Sequence, residues 1–178
     1  MAATHDDAVG TEFLQVSVSQ IKTSLSRIDA CVAKLTEEQI WLRHSENENG
    51  VGNLLLHLSG NVRQWIICGV GGDADHRDRD SEFAAQGGFT REQLLARLRD
   101  TVQEACRVME AVPVTRLTER IFPQGYNVTV MGAIYHVVEH FAGHAFQIIL
   151  LTKLFTGEDL GFYAHLSGGR KQHNLKLD

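Results

Sequence analysis

Residues 129–154 read TVMGAIYHVVEHFAGHAFQIILLTKL, and this stretch decides the fold that the sequence predicts. It predicts one long helix on which His136, His140 and His144 are spaced four residues apart. Gln147 follows three residues later, so the four polar side chains fall within an arc of roughly 80°. The rest of the helix is apolar, and a buried imidazole without a partner is costly. The polar line therefore needs partners, and a metal ion is one of them.

A second helix repeats this arrangement. It is predicted from Val51 to Cys68, in the segment VGNLLLHLSGNVRQWIIC. Its apolar seam consists of Leu55, Leu58, Val62 and Trp65. A polar stripe with four-four-three spacing runs along a neighbouring face and consists of Asn53, His57, Asn61 and Gln64. His57 is the only histidine on this stripe, so it is the candidate to meet the histidines of the long helix.

Two further helices carry regular apolar seams without a polar stripe. The first begins at Thr11, and its seam consists of Leu14, Val18, Ile21, Leu25, Ile28, Val32 and Leu35. The other follows a capping-box signature at Thr90 and Gln93 and ends before Pro113. Its seam consists of Leu95, Leu98, Val102, Ala105, Met109 and Val112. Seams of this spacing are typical of helices that pack in a bundle.

The fold expected from these four helices is an all-α, antiparallel four-helix bundle. The segment LTERIFPQGYNVTV predicts a short β-hairpin between the third and fourth helices, and GVGGDADHRDRDSEFAAQGGF predicts a long loop of the kind that is often functional. Residues 1–178 are expected to form one domain. Residues 1–9 are expected to be a frayed N-terminus, and residues 156–178 a C-terminal tail that packs in part through Leu160, Phe162 and Tyr163.

Composition narrows the class of function. A net charge of −5 and a pI near 6.0 argue against nucleic acid or an anionic membrane as partner. There is no signal-peptide pattern and no apolar run of about 18 residues, so no membrane segment is expected. Cys31, Cys68 and Cys106 are far apart and odd in number, which is typical of reduced thiols in a cytoplasmic protein.

Helix geometry limits which histidines share an ion. The rise of 1.5 Å per residue separates His136 from His144 by about 12 Å, which is too far for one ion with Zn–N bonds of roughly 2.0–2.1 Å. The pair is therefore His136/His140 or His140/His144, and the spacing leaves both open. The alternatives without metal are that these histidines form surface pairs, are core residues bonded to carbonyl groups, or pair with side-chain amides. His5, His44, His76, His165 and His173 are expected to be solvated, and Trp41 and Trp65 to be core residues.

Two segments resemble the DinB/YfiT-like superfamily of metal-binding four-helix bundles: GNLLLHLSGNVRQWI and HVVEHFAGHAFQIILLTKL. The HRDRDSEF loop and the Gly161-Phe162-Tyr163 segment are similar to an uncharacterised branch of it. The resemblance covers roughly residues 10–165. It implies a metal triad of His57, His140 and His144, and it moves His136 to the pocket lining. Much of the superfamily has Arg-Gly-Gln after the last histidine, whereas this chain has Ala145-Phe146 before Gln147.

The resemblance also implies a function. Superfamily members bind zinc or nickel, are often homodimers, and include thiol-dependent transferases and isomerases that use low-molecular-weight thiols. The expected protein binds a divalent transition metal through three neutral histidines with an open position, and transfers a small thiol to an unknown substrate. A metal-dependent hydrolase and a non-enzymatic, stress-associated metal-binding bundle are the alternatives. Asn53, Asn61, Gln64, His136 and Gln147 are the expected pocket or orienting residues.

Overall fold

The computed structural model of the chain describes residues 5–164, and most of them are helical. The α-helices are α1 (His5–Val32), α2 (Glu37–Trp41), α3 (Val51–Val62), α4 (Arg79–Ala84), α5 (Arg91–Glu110) and α6 (Val130–Thr156). A π-helical segment, Arg63–Val70, continues α3, and two 3-10 turns span Val114–Arg116 and Pro123–Gly125. The strands β1 (Arg120–Ile121) and β2 (Val128–Thr129) form a small sheet. The expected all-α class is confirmed.

The long helices α5 and α6 are capped, and the capping box predicted for α5 forms. Thr129 accepts a hydrogen bond from the backbone N–H of Gly132 at the start of α6, and Thr90 and Gln93 form a capping box on α5. Gly157 ends α6 in the left-handed conformation, with φ of 69°. These caps satisfy backbone groups that a helix end leaves without partners. They fix the ends of the two helices on which the predictions depended most.

The predicted start of the first helix is wrong. The sequence predicts Thr11, with residues 1–9 frayed, whereas α1 begins at His5. Gly10 is buried, and a Cβ there would lie 2.3 Å from Cγ1 of Val114. The first turns of α1 thus pack on the segment that follows α5, and this tertiary contact favours helix where the local composition does not. Residues 1–4 lie outside the described part of the chain.

The core forms where the seams of the long helices meet. α1 packs on α5 and α6, while α3 and its π-helical continuation pack on α5 and α6. Every residue of the predicted α5 seam is buried, and in the α1 seam only Leu25 is partly exposed. All twelve residues of α3 are buried, so its polar stripe is covered as completely as its apolar seam. Elements outside the four long helices provide part of that cover.

The connections contain more structure than the sequence predicts. The β-hairpin is confirmed, with Arg120 opposite Thr129 and Ile121 opposite Val128. The segment expected to be a long loop contains a short helix, α4, after an Asp78 cap, and a further short helix, α2, follows a capping box at Thr36. Helices of five and six residues are too short to show an apolar period, so the sequence pattern missed both. Residues 71–90, which contain α4, are called the α4 loop below.

The end of α6 leads into a segment that packs only in part. Leu160 and Phe162 lie against the core, whereas Tyr163 is exposed, and the Arg27 guanidinium lies over the rings of Phe162 and Tyr163. The part of the predicted tail from residue 165 onward lies outside the described residues. Within residues 5–164, no helix combines the length and apolar character that a bilayer crossing requires. The three cysteines are free and buried.

Candidate metal centre

Three histidines from two helices converge at the centre of the molecule. α3 contributes His57, α6 contributes His140 and His144, and one ring nitrogen of each lies within 4.8 Å of the others. The His57 ring centroid is 5.0 Å from that of His140 and 5.0 Å from that of His144. Of the two pairs that helix geometry left open, the structure therefore brings His140/His144 together with His57. These three residues are called the histidine triad below.

The ring contacts also fix how α3 and α6 run past one another. His57 faces His140 and His144, whereas Trp65, eight residues further along the chain, packs on His136 with ring centroids 4.1 Å apart. Rising numbers on one helix thus meet falling numbers on the other, so the two helices are antiparallel here. His136 lies beside the triad, with its ring stacked at 5.4 Å on that of His140.

A buried carboxylate orients His57. Nδ1 of His57 lies 3.2 Å from Oε2 of Glu82, a residue of α4, and both side chains are more than 90% buried. A carboxylate only accepts hydrogen bonds, so Nδ1 carries the proton and Nε2 offers its lone pair to the triad. Histidines that bind metals almost always have such a partner on the other ring nitrogen. The geometry of His57 is therefore that of a prepared ligand.

Arg77 holds this carboxylate in turn. Its Nε and Nη2 donate to the two oxygens of Glu82, each at 2.8 Å, in the bidentate arrangement that suits a guanidinium. Nη2 also lies 3.1 Å from Nδ1 of His57, because both donors approach Oε2. Burial alone would raise the pKa of Glu82, but the hydrogen bonds from Arg77 and His57 outweigh it and keep the pKa below its usual value. Glu82 is therefore ionised at neutral pH.

The polar stripe of α3 fastens the α4 loop over His57. The Nδ2 of Asn53 donates to the backbone carbonyl groups of Glu82 at 2.9 Å and Ala85 at 2.8 Å. Gln64 donates to Asp75 and accepts a hydrogen bond from Arg77. Asn53 and Gln64 of the stripe thus hold the loop, and the loop in turn holds His57. These contacts cover one side of α3 with a hydrogen-bonded layer.

Gly60 makes room for the buried ion pair. A Cβ at this position would lie 1.8 Å from Oε1 of Glu82 and 2.7 Å from Nε of Arg77. Only a residue without a side chain allows the pair to approach the α3 backbone this closely. We call the set formed by Asn53, Gln64, Asp75, Arg77 and Glu82 the loop-side network. Arg77 and Glu82 of this network lie over Gly60 of α3.

The two α6 histidines of the triad have different hydrogen-bond partners. Nδ1 of His144 donates to Oε1 of Gln147 at 2.7 Å, which leaves Nε2 of His144 with a lone pair. Nε2 of His140 lies 2.9 Å from Nε2 of His57, and since His57 accepts there, His140 donates. A metal ion in the triad would take the place of this shared proton. Two nitrogens on a tetrahedral zinc lie about 3.4 Å apart, so His57 and His140 need to separate by only about 0.5 Å. The donor set fits the ion.

The environment of the triad keeps its α6 imidazoles neutral. Burial, reinforced by the adjacent His144 and His57, lowers the pKa of His140 to about 3. Burial also lowers the pKa of His144, against the opposing effect of the Gln147 hydrogen bond, and lowers that of His136. Metals bind imidazole only in its neutral form. At neutral pH these rings are thus in the protonation state that a ligand requires.

The other residues singled out from the sequence differ in their contacts and exposure. Asn53 and Gln64 bond the α4 loop, Gln147 bonds His144, and His136 packs between Trp65 and His140. Asn61 is 4% exposed, and its Oδ1 has no hydrogen-bond partner within residues 5–164. Trp65 is a core residue as predicted, and His44 and His76 are exposed. His165 and His173 lie outside the described residues, as does the His5 side chain.

Sequence reasoning missed Arg77 and Glu82. The one available signal was the segment HRDRDSEF, a dense run of charges in a loop that was already long enough to suggest function. Nothing in the spacing of that segment reveals which of its five charged residues are buried. Only the position of the α4 loop over Gly60 identifies them.

Comparison with known proteins gives a family but no activity. No curated protein matches the chain. Residues 8–168 match the family described as protein of unknown function (DUF1572). This match covers almost the whole of the described structure, including the histidine triad and the loop-side network. The chain belongs to this family of proteins of unknown function.

Proposed function

We propose that the protein binds a divalent transition metal through His57, His140 and His144, with zinc or nickel as the resident ion. The observation that carries the proposal is the convergence of three ring nitrogens within 4.8 Å, with His57 oriented by the buried Glu82 carboxylate. Histidines that only form hydrogen bonds within the core would not require three ring nitrogens to converge on one point. The antiparallel course of α3 and α6 further supports the proposal that the chain is a DinB/YfiT-like four-helix bundle.

We propose an enzyme that transfers a small thiol to an electrophilic substrate. Three protein ligands with a fourth position left for another molecule are typical of catalytic rather than structural sites. When bound, the ion would lower the pKa of a thiol or a water molecule in that position. Activation of water would make the protein a hydrolase, which is the alternative. The thiol reaction is preferred because of the superfamily resemblance.

Residues of the chain supply orientation and proton placement. Glu82 and Gln147 accept the Nδ1 protons of His57 and His144, so that their Nε2 lone pairs point to the ion. Arg77 keeps Glu82 ionised and fixed. His140 must move its proton from Nε2 to Nδ1 before it binds the ion. Metal binding therefore requires one proton shift within His140 and little movement elsewhere.

Metal analysis of the purified full-length protein tests the proposal. We expect close to one equivalent of zinc or nickel, or uptake of one equivalent of Co²⁺ with the visible spectrum of a tetrahedral site, and loss of both in His140→Ala. A thiol added to the Co²⁺ form should produce a sulfur-to-cobalt charge-transfer band. Less than a tenth of an equivalent of any transition metal, even after zinc addition, would contradict the metal site. Metal that raises Tm without any response to thiols or electrophiles would instead favour a non-enzymatic metal-binding bundle.

We also propose that the protein is a homodimer. Large apolar side chains on α6 are exposed at Phe146, Leu150 and Leu154, which are four residues apart and therefore lie on one face. Contiguous exposed apolar surface is typical of interaction sites. Size-exclusion chromatography with light scattering measures the molar mass of the protein in solution. The mass of a single chain at micromolar concentration would contradict the dimer.

A further inference from the structure

Two buried polar atoms next to the histidine triad have no hydrogen-bond partner. They are Oδ1 of Asn61 and Nε1 of Trp65, and both residues are 4% exposed. No other buried side-chain atom within residues 5–164 is unpaired in this way. Buried polar groups are nearly always paired, so each exception needs an explanation such as a water molecule, an ion or a ligand.

Both residues lie on the α6 side of α3. Asn61 follows His57 by four residues, and Trp65 follows Asn61 by four, so the three lie about one turn apart on the same face. His57 faces His140 and His144, while Trp65 faces His136. Because the helices are antiparallel, Asn61 lies opposite the interval between His140 and His136. Asn61 and Trp65 therefore follow His57 by about one and two turns on the face of α3 that carries it.

The backbone is unusual at the same place. Trp65 belongs to the π-helical segment, in which Gly71 N–H bonds to Ile66 C=O at 2.8 Å, an i to i−5 bond. π-helical turns occur frequently at functional sites, where the extra residue changes the direction of a side chain. The Trp65 indole packs on two other rings, those of His136 at 4.1 Å and Tyr126 at 6.1 Å. Tyr126 comes from the β-hairpin and is exposed.

The groups around the unpaired atoms are polar or aromatic. They are an amide, an indole, a phenol and the His136 ring. The charged pair Arg77 and Glu82 meets His57 at Nδ1, on the opposite edge of its ring from the triad. A ligand beside these residues would meet hydrogen-bonding groups and aromatic faces. It would need a donor for Asn61 and an acceptor for Trp65.

We propose that Asn61 and Trp65 form a ligand subsite that holds a neutral hydroxyl or amide group of the molecule bound at the metal. The ligand's O–H or N–H donates to Oδ1 of Asn61, and its oxygen accepts from Nε1 of Trp65. The aromatic rings of His136 and Tyr126 form the wall. The inference rests on the proposed function, because the metal would hold the other end of the ligand.

Matched probes test the subsite in the Co²⁺-loaded full chain. 2-Mercaptoacetamide carries a thiol and a neutral amide, ethanethiol carries the thiol alone, and mercaptoacetate carries a negative charge. We expect the amide thiol to bind about tenfold more tightly than ethanethiol, since two hydrogen bonds supply that order of preference. Mercaptoacetate should show no such gain. Asn61→Leu and Trp65→Phe should each reduce the amide preference and leave the ethanethiol affinity unchanged.

A stability measurement on the metal-free protein tests the same assignment without a ligand. Replacing an amide whose buried oxygen is unpaired by an apolar side chain of similar size is neutral or stabilising. We therefore expect Asn61→Leu to keep or raise Tm, by up to about 4 °C. Asn53→Leu is the matched control, because its amide bonds the α4 loop and its loss should lower Tm. Trp41→Phe is the control for Trp65→Phe. Nε1 of Trp41 donates to the Phe89 carbonyl, whereas Nε1 of Trp65 has no partner in the described part of the chain.

The outcomes separate this inference from the metal proposal. Absence of Co²⁺ binding would overturn the proposed function, whereas the Tm comparison would still report on Asn61. If the protein binds Co²⁺ and then binds ethanethiol and the amide thiol with equal affinity, the subsite alone would be overturned. The two unpaired atoms would then be assigned to ordered water. A marked fall in Tm for Asn61→Leu would also overturn it, since it would reveal a structural partner.

Discussion

The two sides of His57 are built differently. On the side that faces the α4 loop, Asn53, Gln64, Arg77 and Glu82 form a continuous set of hydrogen bonds, and a bidentate ion pair is buried within it. On the side that faces α6, Asn61 and Trp65 keep unpaired polar atoms, and the imidazoles are close enough to share one ion. The ion pair on the first side is buried, whereas His140 and His144 on the second side are only half-buried. The first arrangement fixes the position of His57, and the second leaves hydrogen-bonding capacity for another molecule.

The largest expected effect follows from breaking the loop-side network. Glu82→Ala leaves the Arg77 guanidinium buried without its partner, and such a loss costs about 3–5 kcal/mol in the free energy of unfolding. Urea denaturation of the metal-free protein measures it. Glu119→Ala is the matched control, because Glu119 pairs with Arg116 in the same way at an exposed site. Equal stability of the two variants would show that the buried network does not hold the loop.

Metal affinity should respond to Glu82 even when the fold is kept. Glu82→Gln retains an acceptor for Nδ1 of His57 but removes the negative charge, and loss of such a partner lowers metal affinity by about 10–100-fold. Competition with a chromophoric chelator measures the Kd for Zn²⁺. Glu119→Gln makes the same change of net charge far from the triad and should leave the Kd unchanged. An unaltered Kd in Glu82→Gln would mean that the carboxylate supports only the loop.

Gly60 tests how tightly the loop-side network fits against α3. A Cβ at this position would overlap the Glu82 carboxylate, so Gly60→Ala should lower the free energy of unfolding by about 1–3 kcal/mol. Gly143 in α6 is the matched control, because no atom lies within 4 Å of a Cβ there. Gly143→Ala should stabilise the helix by about 0.5–1 kcal/mol. A stabilising Gly60→Ala would show that the α4 loop can move away without cost.

The sequence predicted one side of His57 better than the other. A period of 3.6 residues is a local property, so the seams and the His140/His144 spacing were visible without a structure, and the polar stripe on α3 pointed to His57. The choice of His144 over His136 came from the family resemblance. Arg77 and Glu82 could not be found in this way, because their burial depends on where a twenty-residue loop docks. The role of Gly60 depends on the same contact, which lies in no local pattern.

The last expected effect concerns pH and the α6 side. The pKa of His140 is about 3 in the folded chain and near 6.5 when unfolded, so between these values the unfolded chain binds more protons. The free energy of unfolding of the metal-free protein should therefore rise with pH through this window. It should decrease progressively as the pH falls below about 6.5. Urea denaturation at a series of pH values measures the slope. His140→Gln should make it shallower, whereas His44→Gln, which removes an exposed histidine outside the triad, controls for loss of a histidine. An unchanged slope in His140→Gln would show that the buried triad is not what acid disrupts, and the contrast between the two sides of His57 would then be one of packing alone.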